Sequence, residues 1–115
     1  IANYTKEAIE ILKWDTSRMV LQHFLKELEG RVETFDNNLD IDLNEEKAKE
    51  LINTVGKELK ELKIKGKYLY MPIRASITGK THGPELPEVV SILGLKNCIQ
   101  RTKQTLEYMK SNKFV

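Results

Sequence analysis

The chain has 115 residues, 40% of them hydrophobic and 31% charged, and a formal net charge of +2. These values indicate one folded domain, or one domain with a small appendage, and they exclude a disordered chain. The single cysteine, Cys98, excludes an internal disulfide bond and fits a reducing compartment, and no apolar run approaches the roughly 20 residues of a membrane span. The chain begins with Ile1 rather than Met and shows no signal peptide, so we expect a piece of a longer protein.

Charge is distributed unevenly along the chain. Residues 1–62 contain nine Lys and Arg against fourteen Asp and Glu, a net charge of −5. Residues 63–115 contain ten against three, a net charge of +7. A basic half joined to an acidic half predicts that the basic half contacts a polyanion. Because basic patches have many uses, charge alone leaves nucleic acid as one candidate partner among several.

Two helices are predicted in the first part of the acidic half. The first covers Tyr4 to Lys13, with Thr5 as its N-cap. The second follows a cap within residues 15–17 (Asp-Thr-Ser), and Gly30 weakens it near its end. Its apolar residues recur every three or four positions, as expected for a core-facing helix: Val20, Leu21, Phe24, Leu25, Leu28 and Val32.

The clearest helical periodicity follows Asn44. Just before it, the alternation in Leu39 to Leu43 resembles a strand, but it is short and has no partner run. Asn44 is the predicted N-cap, and Glu45 and Glu46 lie in the first turn, where the helix dipole favours anions. The predicted core stripe of this third helix consists of Ala48, Leu51, Ile52, Val55, Leu59 and Leu62.

Shorter helical segments are predicted in the basic half. Tyr68 to Met71 is too short to assign. Pro72 is predicted in the first turn of a helix that runs to Thr78, and Gly79 is its left-handed C-cap.

Two further helices follow. Pro87 starts the first of them, which has Leu86, Val89, Val90 and Leu93 on one stripe and stops at Gly94. The last helix covers Leu95 to Lys110, and its inward-facing residues are Ile99, Thr102, Leu106 and Met109. The chain is therefore predicted to be all-α, a bundle or cage of five to six helices.

The residues that catalysis or metal binding requires are not grouped in this sequence. Two histidines, His23 and His82, and one cysteine provide no zinc-ligand spacing. Gly79-Lys80-Thr81 ends like a P-loop, but Arg74 stands where the earlier glycine of that motif belongs. We therefore expect no catalytic site, no metal site and no cofactor in this chain, and a structural, partly buried role for His23.

The informative stretch is residues 66–86, which read GKYLYMPIRASITGKTHGPEL and continue through Glu88, Leu93-Gly94 and Arg101. It resembles the C-terminal signature of bacterial-type glutamyl-tRNA synthetases. In that family a Met-Pro-(Leu/Ile)-Arg-x-(Ala/Ser)-(Leu/Ile)-Thr-Gly run precedes a Gly/Thr-Pro-x-(Leu/Ile) turn, and a helix with a Leu-Gly pair and a later Arg follows. Residues 1–62 are similar to the preceding helical region of the family only in their pattern.

The resemblance implies the anticodon-binding part of a class I aminoacyl-tRNA synthetase. Such an enzyme joins glutamate to tRNA with ATP and Mg²⁺ in a separate catalytic domain, and the HIGH-type and KMSKS-type motifs of that domain are absent here. The implied fold is an all-helical cage that holds the anticodon loop. Residues 1–62 would be a helical region that precedes the last subdomain, residues 63–115. The implied partners are tRNA and the chain's own N-terminal catalytic domain, in a cytoplasmic monomer without membrane contact.

The RNA-binding residues are predicted within the same stretch. In the family, the positions that match Arg74, Gly83, Pro84 and Leu86 lie at the anticodon bases. An arginine on ordered backbone can hydrogen-bond a base edge or stack on it, whereas Lys80, on a loop, is expected to meet phosphate. The full predicted set is Arg74, Thr78, Lys80, Thr81, His82, Gly83, Pro84 and Leu86.

Two simpler interpretations remain open at this point. Arg74 could pair with a carboxylate while Gly79 and Gly83 only turn the chain. The whole chain could also be a helical protein-interaction domain that kept the fold and docks protein through Tyr68, Leu69 and Tyr70.

Overall fold

Helices form every regular element in the described part of the chain. The computed structural model describes residues 3–34 and 43–114. The elements are α1 (Lys6–Leu12), α2 (Ser17–Thr34), α3 (Glu45–Leu59), a 3₁₀ turn (Lys60–Leu62), α4 (Lys67–Thr78) and α5 (Leu86–Ser111). Residues 3–34 and 43–114 contain no strand, and the predicted all-α fold is confirmed.

Side-chain caps start two of the helices where the sequence predicts them. Thr5 Oγ1 accepts a hydrogen bond from the Ala8 N–H at 3.1 Å, and Asn44 Oδ1 accepts one from the Lys47 N–H at 2.8 Å. Helix α2 differs from these two, because it begins at Ser17. The buried Ser17 hydroxyl donates a hydrogen bond at 2.6 Å to the carbonyl of Ile11, which belongs to α1. Ser17 therefore joins α1 to α2.

The larger hydrophobic cluster lies between α2, α3, α4 and α5. Its fully buried members include Phe24 and Leu28 from α2, Leu51 and Val55 from α3, and Ile73 from α4. A smaller cluster joins α1 to α2, α4 and the end of α5. Helices on both sides of residue 62 contribute to the larger cluster, and the proposed division into residues 1–62 and 63–115 stays a prediction.

The core stripe of α3 is confirmed except at its last position. Leu59 is fully buried, but Leu62 is 57% exposed, so its placement in the core was wrong. The chain leaves the α-helix after Leu59, passes through the 3₁₀ turn and reaches Lys63 at φ 61°. This tighter turn changes the direction of Leu62 relative to the α-helical stripe.

Helix α4 begins earlier than the sequence suggests, and the placement of Pro72 in a first turn was wrong. The helix starts at Lys67, so Pro72 lies in its interior. The Gly66 carbonyl accepts from the N–H groups of Leu69 and Tyr70, each at 3.0 Å, and starts the helix before the proline. Burial of Leu69 at 4% exposure offsets the backbone hydrogen bond that Pro72 cannot donate.

Helix α5 consists of two helical segments on either side of Gly94. This glycine has φ 81° and ψ 166°, which is not helical backbone. The predicted stop at Gly94 is therefore confirmed as a kink. The first segment covers residues 86–93, borders the loop after α4 and presents one large apolar side chain, Ile92, to solvent at 74% exposure.

Three contacts from other elements hold the C-terminal end of α4. Gly79 is the predicted left-handed cap, with φ 73°, and its carbonyl accepts from the Thr5 N–H at 2.8 Å. Arg101 Nη1 donates to the Ile77 carbonyl at 2.7 Å, and Thr105 Oγ1 donates to a third carbonyl of this end at 3.1 Å. The loop that follows, residues 80–85, therefore begins at a backbone position that these contacts hold in place.

The strand-like alternation of Leu39 to Leu43 lies outside the described residues except for Leu43, which is buried. In the part of the chain that the structure describes, none of the helices combines the length and the apolar character that crossing a membrane requires.

Candidate nucleic-acid interface

A groove of about 410 Å³ lies between α4, the loop after it and the first segment of α5. Six of the eight predicted RNA-binding residues line this groove: Arg74, Thr78, Lys80, His82, Gly83 and Pro84. The remaining lining comes from α5: Val89, Ile92, Leu93 and Arg101. The structure thus brings four residues of the loop and two of α4, Arg74 and Thr78, together at a single concave surface.

Two buried polar atoms of the described residues lack a hydrogen-bond partner, Thr102 Oγ1 and Arg74 Nη1, and of these two residues only Arg74 lines the groove. Its Nη1 atom is buried and has no hydrogen-bond partner among the described residues. A β-carbon added at Gly83 would lie 3.2 Å from this nitrogen, so the guanidinium packs against the glycine backbone. A buried donor without a partner costs about 1–3 kcal/mol and is rare in folded proteins. An acceptor supplied by a ligand in the groove would remove that cost.

No carboxylate among the side chains that the structure describes, in residues 3–32 and 43–114, pairs with Arg74. The ion pairs among these residues involve other groups, and the guanidinium nitrogen that faces Gly83 is unpaired. The simpler interpretation, in which Arg74 serves only as an internal ion pair, therefore has no support within the described residues.

The hydroxyl of Thr78 shapes the loop that borders the groove. Thr78 Oγ1 donates to the Arg74 carbonyl at 2.8 Å and accepts from the Lys80 N–H at 3.0 Å. The next groove residues, His82, Gly83 and Pro84, are exposed. Gly83 adopts φ 153°, on the side of backbone space that L residues rarely use.

The other two predicted residues lie outside the groove lining. Thr81 is half-buried, and Leu86 belongs to the larger hydrophobic cluster at 4% exposure. Contact between Leu86 and RNA would therefore pass through its backbone. The proposed RNA roles of all eight residues stay predictions.

Positive charge dominates the segment that forms one wall of the groove. Residues 63–80 contain no Asp or Glu, and their charged residues are Lys63, Lys65, Lys67, Arg74 and Lys80. The groove itself is lined by Arg74, Lys80 and Arg101, with no carboxylate among its lining residues. A concave surface with cations on its walls concentrates anions.

Arg101 and Ile92 extend the groove beyond the residues predicted from the sequence. Arg101 uses Nη1 to hold the Ile77 carbonyl, and its side chain also lines the groove. Among the large hydrophobic side chains that the structure describes, Ile92 is the most exposed, at 74%. The sequence contains a signal for Ile92, which is an apolar residue outside the apolar stripe of its helical segment. Only the fold places Ile92 in the same groove as Arg74. Apolar side chains and arginine planes are the surfaces on which unstacked bases rest.

No cluster of three or more His, Cys, Asp or Glu side chains suited to metal binding occurs among the described side chains of residues 3–32 and 43–114. His23 lies on α2, where its Nδ1 is 2.9 Å from Glu58 Oε1 of α3. His23 therefore links two core helices, as the sequence suggests, whereas His82 is exposed in the groove.

The three residues proposed for protein docking do not form one surface. Leu69 is buried at 4% exposure, so that part of the alternative was wrong. Tyr68 packs on Trp14, with ring centroids 5.1 Å apart, while Tyr70 is 44% exposed. Because residues 68 and 70 differ by about 200° around an α-helix, the two tyrosines face different sides of α4.

A helical fold with a cationic, partly apolar groove is typical of a nucleic-acid-binding domain. Comparison with known proteins identifies the particular family. The chain belongs to the anticodon-binding domain family, whose model matches residues 2–106.

Three curated relatives are each named as a glutamate–tRNA ligase. Glutamate–tRNA ligase 1 of Caldicellulosiruptor saccharolyticus is 42% identical over 91% of this chain and 18% of the relative. The Bacillus pumilus enzyme is 39% identical over 88% and 18%, and glutamate–tRNA ligase 2 of Caldanaerobacter subterraneus subsp. tengcongensis is 35% identical over 94% and 20%. The chain thus spans about a fifth of the length of these relatives. No solved structure matches the chain.

Proposed function

We propose that this chain binds the anticodon loop of a tRNA, as the anticodon-binding domain of a glutamate–tRNA ligase. The observation that carries the proposal is the buried, unpartnered Nη1 of Arg74 in a groove without carboxylates. A base edge presents the acceptor that this nitrogen lacks, and single-stranded loops are where proteins read RNA sequence. The relatives' names give the amino acid, glutamate, that the whole ligase would attach.

The groove residues divide into two kinds of contact. Arg74 hydrogen-bonds a base edge, and Gly83 leaves room for its guanidinium. Pro84 and Ile92 supply apolar contact to the plane of an unstacked base. Lys80, exposed at the rim, contacts phosphate, and phosphate contacts position the RNA without reading its sequence.

The chemistry of the whole ligase belongs elsewhere in that protein. Activation of glutamate with ATP and Mg²⁺, and its transfer to tRNA, would take place in a separate catalytic domain. This chain supplies binding energy and discrimination among tRNAs. The protein is proposed to act as a cytoplasmic monomer whose only nucleic-acid partner at this groove is the anticodon loop.

The test is a salt titration of the 115-residue chain against a fluorescent anticodon stem-loop of glutamate tRNA. The logarithm of the association constant should fall linearly with the logarithm of salt, by about 0.7 for each phosphate of a single strand that the protein neutralises. A stem-loop with a scrambled anticodon is the matched control, and it should bind more weakly at every salt concentration. Equal affinity for both stem-loops, or affinity that does not respond to salt, would refute anticodon binding and favour a protein-docking domain.

A further inference from the structure

Tyr70 occupies the position on α4 one helical turn before Arg74. Residues four apart on an α-helix lie on the same face, and the rise between them is about 6 Å. Tyr70, Arg74 and Thr78 are spaced by four and therefore form one stripe along α4, which leads into the groove at Arg74 and Thr78.

The ring of Tyr70 is available to a partner. It is 44% exposed, and no described residue makes a ring contact or hydrogen bond with its side chain. Tyr68, two positions earlier, is 46% exposed but stacks against Trp14, and the Lys67 Nζ atom lies 5.3 Å from the centre of its ring. The two tyrosines thus have similar exposure and different surroundings.

The charge around Tyr70 selects the kind of partner. Lys63, Lys65 and Lys67 precede it and are all exposed, and no Asp or Glu occurs within residues 63–80. Proteins that bind single-stranded nucleic acid combine such a cationic track, which follows the phosphates, with aromatic side chains on which bases stack.

We propose that Tyr70 is a stacking platform for the anticodon-loop nucleotide that neighbours the base read by Arg74, and that Lys63 and Lys65 hold phosphates of the strand beside it. This inference rests on the proposed function and adds a second nucleotide position outside the groove lining, on the same stripe of α4. The occupant is single-stranded RNA rather than protein, because the open ring of Tyr70 lies in a segment, residues 63–80, that contains five cations and no carboxylate.

The experiment measures binding of the anticodon stem-loop to Tyr70→Ala, Tyr70→Phe and Tyr68→Ala, each confirmed as folded by circular dichroism. Tyr70→Ala should weaken binding on the order of tenfold, since removing a ring from beneath a base costs about that factor. Tyr70→Phe should keep affinity within about twofold, because phenylalanine retains the stacking face. Tyr68→Ala is the matched control on the other side of the same helix and should bind like the wild type.

A second readout identifies the nucleotide that stacks. Stem-loops with one abasic position at a time are titrated against the wild type and Tyr70→Ala. One abasic position should weaken wild-type binding about tenfold and leave Tyr70→Ala unchanged, since base and ring then act as a pair.

The outcomes separate this inference from the proposed function. If Tyr70→Ala binds like the wild type while Arg74→Ala loses discrimination, Tyr70 is outside the RNA path and the anticodon proposal stands. Equal losses in Tyr70→Phe and Tyr70→Ala would show that the hydroxyl matters, which contradicts stacking. If the wild type binds no stem-loop, both proposals fail together.

Discussion

The guanidinium of Arg74 packs against the backbone of Gly83, where an added β-carbon would lie 3.2 Å from Nη1. These two residues come from different elements, α4 and the loop after it. Their contact buries the unpartnered Nη1 of Arg74, and both residues line the groove. We expect the discrimination among RNAs to depend on both residues.

Gly83→Ala should lower RNA affinity and reduce the discrimination between anticodons. The new methyl group would displace the Arg74 guanidinium by a few tenths of an ångström, and alanine is also strained at φ 153°. Gly30→Ala is the matched control, because a β-carbon at residue 30 of α2 meets nothing within 4 Å. That control should gain up to about 1 kcal/mol of stability and bind RNA normally. Normal discrimination by Gly83→Ala would show that the Arg74–Gly83 contact is unimportant.

Gly79→Ala should lower the free energy of unfolding by more than a left-handed backbone alone explains. Gly79 has φ 73° and ψ 10°, the left-handed region in which alanine costs about 1–2 kcal/mol. The added carbon would also collide with the backbone carbonyl of Asn3. Urea unfolding of the wild type and the variant measures the loss. A loss of only about 1–2 kcal/mol would mean that the close approach of Asn3 to Gly79 does not matter.

Cys98 should make stability fall at alkaline pH. Burial raises the pKa of its thiol to about 12, against about 8.5 in an unfolded chain. Its contribution is therefore complete below pH 8.5 and is lost as the pH rises from there towards 12. Between pH 8 and pH 10, the unfolding free energy of the wild type should fall relative to that of Cys98→Ala. The fall should be at most about 1.4 kcal/mol per pH unit.

The comparison with Cys98→Ala isolates the thiol. Burial also raises the pKa of Tyr4, which acts in the same direction, but that residue is present in the two proteins and cancels. A difference that stays constant between pH 8 and pH 10 would contradict a buried, protonated thiol.

Local features of the fold could be predicted from the sequence, and long-range features could not. The caps at Thr5 and Asn44 and the left-handed turn at Gly79 depend on neighbouring residues, and the structure has them as predicted. Pro72 was misplaced because the burial of Leu69 extends α4 in front of it.

The candidate site also has local features that the sequence predicts and long-range features that it does not. The loop residues Lys80, His82, Gly83 and Pro84 are close in sequence, so their place in one groove follows from the motif. The hydrogen bond from Arg101 to the Ile77 carbonyl joins residues 24 positions apart and depends on how α4 and α5 cross. One sequence carries no direct record of that crossing, which is also why Ile92 was not assigned to the groove.

The central claim is that Arg74 reads a base while Lys80 holds phosphate. The most direct measurement titrates Arg74→Ala and Lys80→Ala against cognate and mismatched anticodon stem-loops at several salt concentrations. Arg74→Ala should shrink the difference between the two RNAs by about 1–3 kcal/mol. Lys80→Ala should weaken binding to both RNAs alike and reduce the salt slope by about one unit. An Arg74→Ala variant that loses the same affinity for both RNAs would show that Arg74 is a phosphate or structural residue, and the account of the groove would be wrong.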